Sequence, residues 1–159
     1  MKSDKFTDGA LALLERANAE AVLRGQGYVG SEDLLLALLA AARCPYAKLL
    51  SKLGVKRAKV LQVLEMFGPY SARPAAGARI LALPLTDKAR EILQDAGEEA
   101  IKRGHIYLGI AHILLSMLAA DEEFLALKIM KRLGLKPVPA YKKVEAFLEK
   151  RNAAVRAAN

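Results

Sequence analysis

Apolar residues along this chain recur at helical spacings. Ala10, Leu13, Leu14, Ala17 and Ala21 stand at i, i+3, i+4, i+7 and i+11, which places one apolar stripe along a first helix. Ala89, Ile92, Leu93, Ala96 and Ala100 repeat the same spacing. Thr7 and Thr86 precede these stripes at N-cap positions, each followed by an aspartate whose charge suits a helix amino-terminus. Gly25 and Gly104 follow an arginine and end each helix. A second helix begins near Ser31, with Leu34, Leu35, Leu38 and Leu39 facing inward; its counterpart carries Ile113, Leu114, Met117 and Leu118. A third runs from Pro45 to Leu53, where Gly54 stops it, and a fourth covers about 57–67, or 138–150 in the second half. No stretch alternates with period two over the length of a strand. The pattern predicts an all-α fold of about eight helices.

The two halves are copies. Phe6-Thr7-Asp8 lies over Leu85-Thr86-Asp87, Tyr28-Val29-Gly30 over Tyr107-Leu108-Gly109, and Leu34-Leu35-Leu36 over Ile113-Leu114-Leu115, all at an offset of 79. The offset becomes 80 at Leu53-Gly54-Val55 over Leu133-Gly134-Leu135, so one residue is inserted near 121–126. This predicts two tandem four-helix repeats, 1–67 and 86–150, related by a pseudo-twofold. A linker at 68–85 joins them and a flexible tail follows at 151–159. A unit of about sixty residues is marginal alone, so the apolar faces of the two repeats should meet in one compact domain.

Charge changes this picture little. The formal net charge is +8 over 159 residues, but the excess is spread thinly along the chain and no arm of five or six like charges exists. Two modest basic clusters stand out: Lys48, Lys52, Lys56, Arg57, Lys59 and then Lys128, Lys131, Arg132, Lys136. A nucleic-acid surface would place them on one face with interleaved aromatics, and only Tyr141 stands beside bases. Nucleic-acid binding is therefore the less favoured reading. The longest wholly apolar run, Leu34 to Ala42, is nine residues, about half of what a membrane span needs. The first residues lack an apolar signal core, and the single Cys44 rules out an internal disulfide framework. A soluble, cytoplasmic protein is expected.

Catalytic chemistry finds no footing. There is no phosphate-cradling Gly-x-x-x-x-Gly-Lys-Ser/Thr loop, and Gly25-Gln26-Gly27-Tyr28-Val29-Gly30 follows a helix where a dinucleotide fingerprint must follow a strand. His105 and His112 have no partner at ligand spacing and suit surface or capping roles, so no metal or cofactor is expected. Cys44 has no base near it in sequence. The acidic pairs Glu98-Glu99 and Asp121-Glu122-Glu123 read as solvated. These residues predict a non-enzymatic helical module.

The doubled pattern Phe6-Thr7-Asp8-x-Ala10, Ala19-Glu20-Ala21 and Gly30-Ser31-Glu32-Asp33-Leu34-Leu35, with Arg103-Gly104-His105-x-Tyr107-Leu108-Gly109 in the second copy, resembles the N-terminal domain of Clp-type AAA+ unfoldases such as ClpC and ClpA. The likeness covers about residues 5–150. It implies a recognition domain that receives substrates or adaptor proteins for an ATP-driven Clp protease or unfoldase, either as an excised N-domain or as a stand-alone accessory protein. The alternative is a structural subunit docking on the Clp protease ring. In the ClpC branch each repeat is associated with a phosphoarginine pocket, in which a threonine at the first helix start and a glutamate at the second contribute. The resemblance places these roles on Thr7 and Glu32 in the first repeat. The second keeps Thr86 but has Ala111 in place of the glutamate. Asp33 stands where the family carries histidine and adds negative charge that a phosphate would oppose.

Overall fold

The computed structural model describes residues 3–67 and 83–158, so most of the expected linker lies outside the described residues. A 3-10 turn at Ser3–Lys5 leads into eight helices: α1 Asp8–Leu23, α2 Ser31–Ala40, α3 Pro45–Lys52, α4 Arg57–Met66, α5 Asp87–Lys102, α6 Ile110–Ala119, α7 Leu125–Arg132 and α8 Pro137–Ala158. Thr7 and Thr86 cap α1 and α5: each hydroxyl oxygen accepts the backbone N–H of the third residue on, Ala10 or Ala89, at 3.1 Å. Gly25 and Gly104 end these helices at φ +69° and +71°, a conformation that residues with a Cβ avoid.

The second helix of each repeat departs from the expected single stripe. From Ser31 to Leu38 and from Ala111 to Leu118 every residue is buried. The cause is position: α2 packs on α1, α3 and α4 of its own repeat and on α5 and α7 of the other, while α6 is surrounded by α1, α3, α5, α7 and α8. The core is therefore continuous across the repeats. Ser31, predicted to open α2, is its first helical residue, and Gly30 is the N-cap. Its buried hydroxyl serves the other repeat instead, accepting the N–H of Ala126 in the first turn of α7 at 3.1 Å.

Four backbone bonds record the pseudo-twofold. The N–H of Thr7 donates to Leu108 O at 2.9 Å and that of Leu108 to Lys5 O at 2.8 Å. In the same way the N–H of Thr86 donates to Val29 O at 2.9 Å and that of Val29 to Pro84 O at 2.8 Å. Each repeat thus lends its entry segment to the connection between the first two helices of the other, as two isolated parallel bridges.

The segment expected as a flexible tail is helical instead. Helix α8 continues to Ala158, and contacts from Arg151 to the Tyr46 ring and from Asn152 to His105 hold its later turns against the body. Among the described residues, no single helix is long and apolar enough to cross a membrane.

Candidate functional site

The crossed bridges have a consequence for the residues singled out in the sequence. Thr7 does not face Glu32 of its own repeat. It faces the start of α6: a Cβ built on Gly109 would lie 3.6 Å from Thr7 Cγ2 and 3.7 Å from its Oγ1. Thr86, bonded to Val29 O, stands beside Gly30 and the start of α2, which carries Glu32. The fold therefore makes two corners from residues of both repeats. One brings Thr86 to the start of α2, which carries Glu32. The other joins Thr7 to Ala111 and has no carboxylate.

At the first corner, Arg24 leaves the end of α1 to meet two acids. Its Nη1 donates to Asp33 Oδ1 at 2.7 Å and lies 3.4 Å from Glu32 Oε1. Asp33 is fully buried, and its Oδ2 accepts the N–H of the N-cap Gly30 at 2.9 Å. Burial, with the Glu32 charge beside it, pushes the Asp33 carboxyl up to about 6, although the Gly30 N–H and Arg24 pull the other way. Burial alone would lower Arg24; the two carboxylates outweigh it and raise it. The Glu32 carboxylate folds back over Gly30, where any Cβ would collide with both of its oxygens. That glycine is what makes room for the acid.

At the second corner, histidine replaces aspartate at the equivalent place in α6. His112 Nδ1 accepts the N–H of Gly109 at 2.9 Å, and its Nε2 meets His105 Nδ1 at 2.7 Å, with the rings edge to face. Burial first, then the neighbouring His105 and Arg103, lowers His112 to about 4. The Gly109 N–H and the His105 ring thus engage its two nitrogens, and no cluster of three or more His, Cys, Asp or Glu able to hold a metal occurs among the described residues. Arg103, the counterpart of Arg24, turns away to α8, donating to Glu145 at 2.6 Å and Tyr141 at 3.1 Å and pairing with Glu99 at 3.2 Å. Burial opposes the charge of Arg103, but these hydrogen bonds raise its pKa overall. Glu99 is thus part of a network, not solvated as the sequence suggested, and the Tyr141 hydroxyl is engaged there. A cavity of about 650 Å³ opens beside Thr7, Ala111 and His105, walled by Cys44 and Tyr46 from α3 and by Arg151 and Asn152 from α8.

The two basic clusters reach neighbouring turns, since a Cβ on Gly54 would lie 3.7 Å from Leu133 O and α4 packs on α7. Arg57 and Lys131 are paired within the chain, to Glu20 and Glu122.

Sequence reasoning missed both arginine networks. Its one available signal was the third residue after Gly30 and Gly109: Asp33 and His112 can each accept the N-cap N–H, the acceptor half of a capping box.

The profile of the Clp repeat (R) N-terminal domain matches residues 5–74 and 84–158. The chain is 32% identical over 136 residues to the chloroplastic chaperone protein ClpC of Pisum sativum, covering 84% of this chain and 14% of the relative. It is 31% identical over 154 residues to the chloroplastic ATP-dependent Clp protease ATP-binding subunit ClpA homolog CD4B of Solanum lycopersicum, covering 96% and 16%. In structure it is similar to the N-terminal domain of the caseinolytic protease associated chaperone ClpD from Arabidopsis thaliana, with a TM-score of 0.77 at 21% identity over 94% of this chain and 97% of the other. The Hsp104 N-terminal domain from Candida albicans matches at a TM-score of 0.69, 17% identity, 88% and 89% coverage. These structural matches share the fold, and the chain spans only about a seventh of the two curated relatives' length.

Proposed function

This chain belongs to the Clp repeat (R) N-terminal domain family, and from that premise we propose that it is a non-enzymatic recognition module, binding substrate or adaptor proteins for an ATP-dependent Clp unfoldase. The observation that carries this reading is an uncovered apolar rim. Ile101 and Ile106 are 75% and 84% exposed beside a groove of about 460 Å³. Phe6, Leu93 and Leu108 line it, with Asp95 and Glu98 alongside. Large apolar side chains standing together in water are the mark of a surface that a partner covers.

The repeat-one counterpart shows how the chain itself can line such a groove. It is lined by Leu14, Asn18, Val29 and Leu85, and there the chain's own Leu83 packs against the core while its N–H donates to Asn18 Oδ1 at 2.7 Å. Gly97 replaces Asn18 in repeat two. The groove is thus the pseudo-twofold image of one that the chain's own Leu83 helps to line.

Replacing both Ile101 and Ile106 by serine should leave the fold intact, since both are exposed, and should weaken binding of a labelled unfolded casein about tenfold in fluorescence anisotropy. Unchanged affinity would refute the groove. Binding to an assembled Clp protease particle with none to casein would instead favour the ring-docking subunit.

Within this reading the Thr86–Glu32 corner is the phosphoarginine candidate. It alone keeps a carboxylate for the guanidinium beside a threonine and a helix amino-terminus for the phosphate. Isothermal titration with phosphoarginine should give heat that Glu32→Gln abolishes and Thr7→Ser leaves unchanged. No heat above buffer in the parent protein removes the proposal, because Arg24 and Asp33 would then have closed the site.

A further inference from the structure

The cavity beside Thr7 and Ala111 is the repeat-two image of the Glu32 corner, with its charge reversed in sign. Ala111 stands where Glu32 does and His112 where Asp33 does, so both acids of the first corner are gone. What replaces them comes from the end of α8. Helix α4 ends at Met66, the image of Ala146, whereas α8 runs on to Ala158 and brings Arg151 and Asn152 into the cavity wall.

Among the described residues no aspartate or glutamate lines this cavity, and Arg151 is its one arginine or lysine. Arg151 has no acid for a partner among them; its guanidinium is held 6.0 Å from the centroid of the Tyr46 ring, which packs edge-on against Phe147 at 5.4 Å. The nearby acid of α8, Glu149, instead reaches Arg103 at 4.0 Å. The nitrogens of His105 and His112 are taken by each other, by Gly109 and by Asn152, so Arg151 is the cation that a ligand meets. The Thr7 hydroxyl, whose oxygen accepts from Ala10, keeps its own proton to donate. Around these polar groups stand Ile106, Tyr107, Ile110, Leu148 and Val155, of which Ile106, Tyr107 and Val155 are exposed.

Such a lining repels a guanidinium and suits an anion with an apolar body. We propose that the cavity takes the carboxyl terminus of a peptide, with the terminal carboxylate on the Arg151 fork and the Thr7 hydroxyl and the last apolar side chains against the aliphatic wall. About 650 Å³ holds a few residues, far more than a lone phosphate needs. Thr7, Tyr46 and Asn152 give the peptide's own polar groups partners that a hydrocarbon chain would leave unused. The site goes beyond the groove proposed above: Ile106 lines both, but Ile101 lines the groove and not this cavity. A terminal carboxylate occurs once per chain, so this cavity reads an end where the groove reads an apolar stretch.

The test is fluorescence anisotropy with two short peptides labelled at the amino-terminus and ending in a pair of leucines. They are identical except that one carries a free terminal carboxylate and the other a terminal amide. The free acid should bind about tenfold more tightly. Arg151→Gln should remove that difference, and Arg151→Lys should restore part of it by returning the charge without the planar fork. Both variants should keep the parent's far-UV circular dichroism, since Arg151 is exposed and lies beyond Leu148, the last buried residue of α8. Ile101→Ser should leave the acid–amide difference untouched while it weakens casein binding, so failure of this site and failure of the groove are told apart. Equal affinity for the two peptides, or no binding of either, overturns the proposal. So does a difference that Arg151→Gln retains. Binding of octanoate without binding of the free-acid peptide would give the cavity to a fatty acid and overturn the peptide as its occupant.

Discussion

Replacing Arg24 by methionine is expected to lower the unfolding free energy by about 3 kcal/mol at pH 7.5, the scale for removing one partner of a buried ion pair. Arg24 is 10% exposed and the two carboxylates it meets are scarcely more so: Asp33 is fully buried and the Glu32 side chain is 11% exposed. Methionine keeps most of the packing volume of the arginine stem but leaves two adjacent negative charges without their cation. The Gly30 N–H remains to Asp33 and cannot neutralise both. The deficit should shrink as the pH is lowered. Asp33 titrates at about 6 even with Arg24 in place, and without it the carboxyl takes up a proton more readily still, which removes the stranded charge. Urea unfolding of parent and variant at pH 7.5 and pH 5 provides the check, with Arg24→Lys as a variant that restores charge without the planar fork. An equal deficit at both pH values would mean that Asp33 is not the group Arg24 serves.

The helices and the repeat were legible because both rest on periodicity, and a stripe such as Ala10, Leu13, Ala17, Ala21 survives any error in tertiary placement. The all-round burial of α2 and α6 was not legible, since Leu36 and Leu115 are wholly buried off the expected stripe and a pattern within one helix cannot reveal its neighbours. The grouping of the candidate residues was hidden in the same way. Thr7, Glu32, Thr86 and Ala111 were readable one by one, but which of them share a corner depends on two parallel bridges between segments 56 and 102 residues apart in sequence, Val29 with Leu85 and Phe6 with Leu108. Local spacing pairs Thr7 with Glu32, whereas the crossed bridges place Thr86 beside the helix that carries Glu32. Arg24 and Arg103 show the limit most plainly. They are equivalent in sequence, yet one turns to the start of α2 and the other to α8, because repeat two offers Tyr141 and Glu145 and a histidine in place of Asp33.

That aspartate-for-histidine exchange predicts opposite pH dependences for two equivalent positions. Asp33 is raised in the fold, from 3.8 to about 6, so the stability linked to it is full below about pH 4 and is lost as the pH rises through 6. His112 is lowered, from 6.5 to about 4, so its contribution is full above about pH 6.5 and is lost as the pH falls through 4. Each shift corresponds to about 3 kcal/mol, and between pH 4 and pH 6.5 the two slopes oppose each other and largely cancel in the parent protein. Asparagine at either place keeps an oxygen to accept the N-cap N–H while removing the titration. Asp33→Asn should therefore expose the histidine slope, losing about 3 kcal/mol more than the parent on going from pH 7 to pH 4. His112→Asn should expose the aspartate slope and gain a similar amount over the same interval, also measured against the parent. Denaturant unfolding across that range, followed by circular dichroism, tests both at once, since everything else that titrates is common to all three proteins. Parallel curves for the two variants would show that the corners do not hold their unusual charges. Divergence with the signs reversed would mean that the fold stabilises the charged form at both positions.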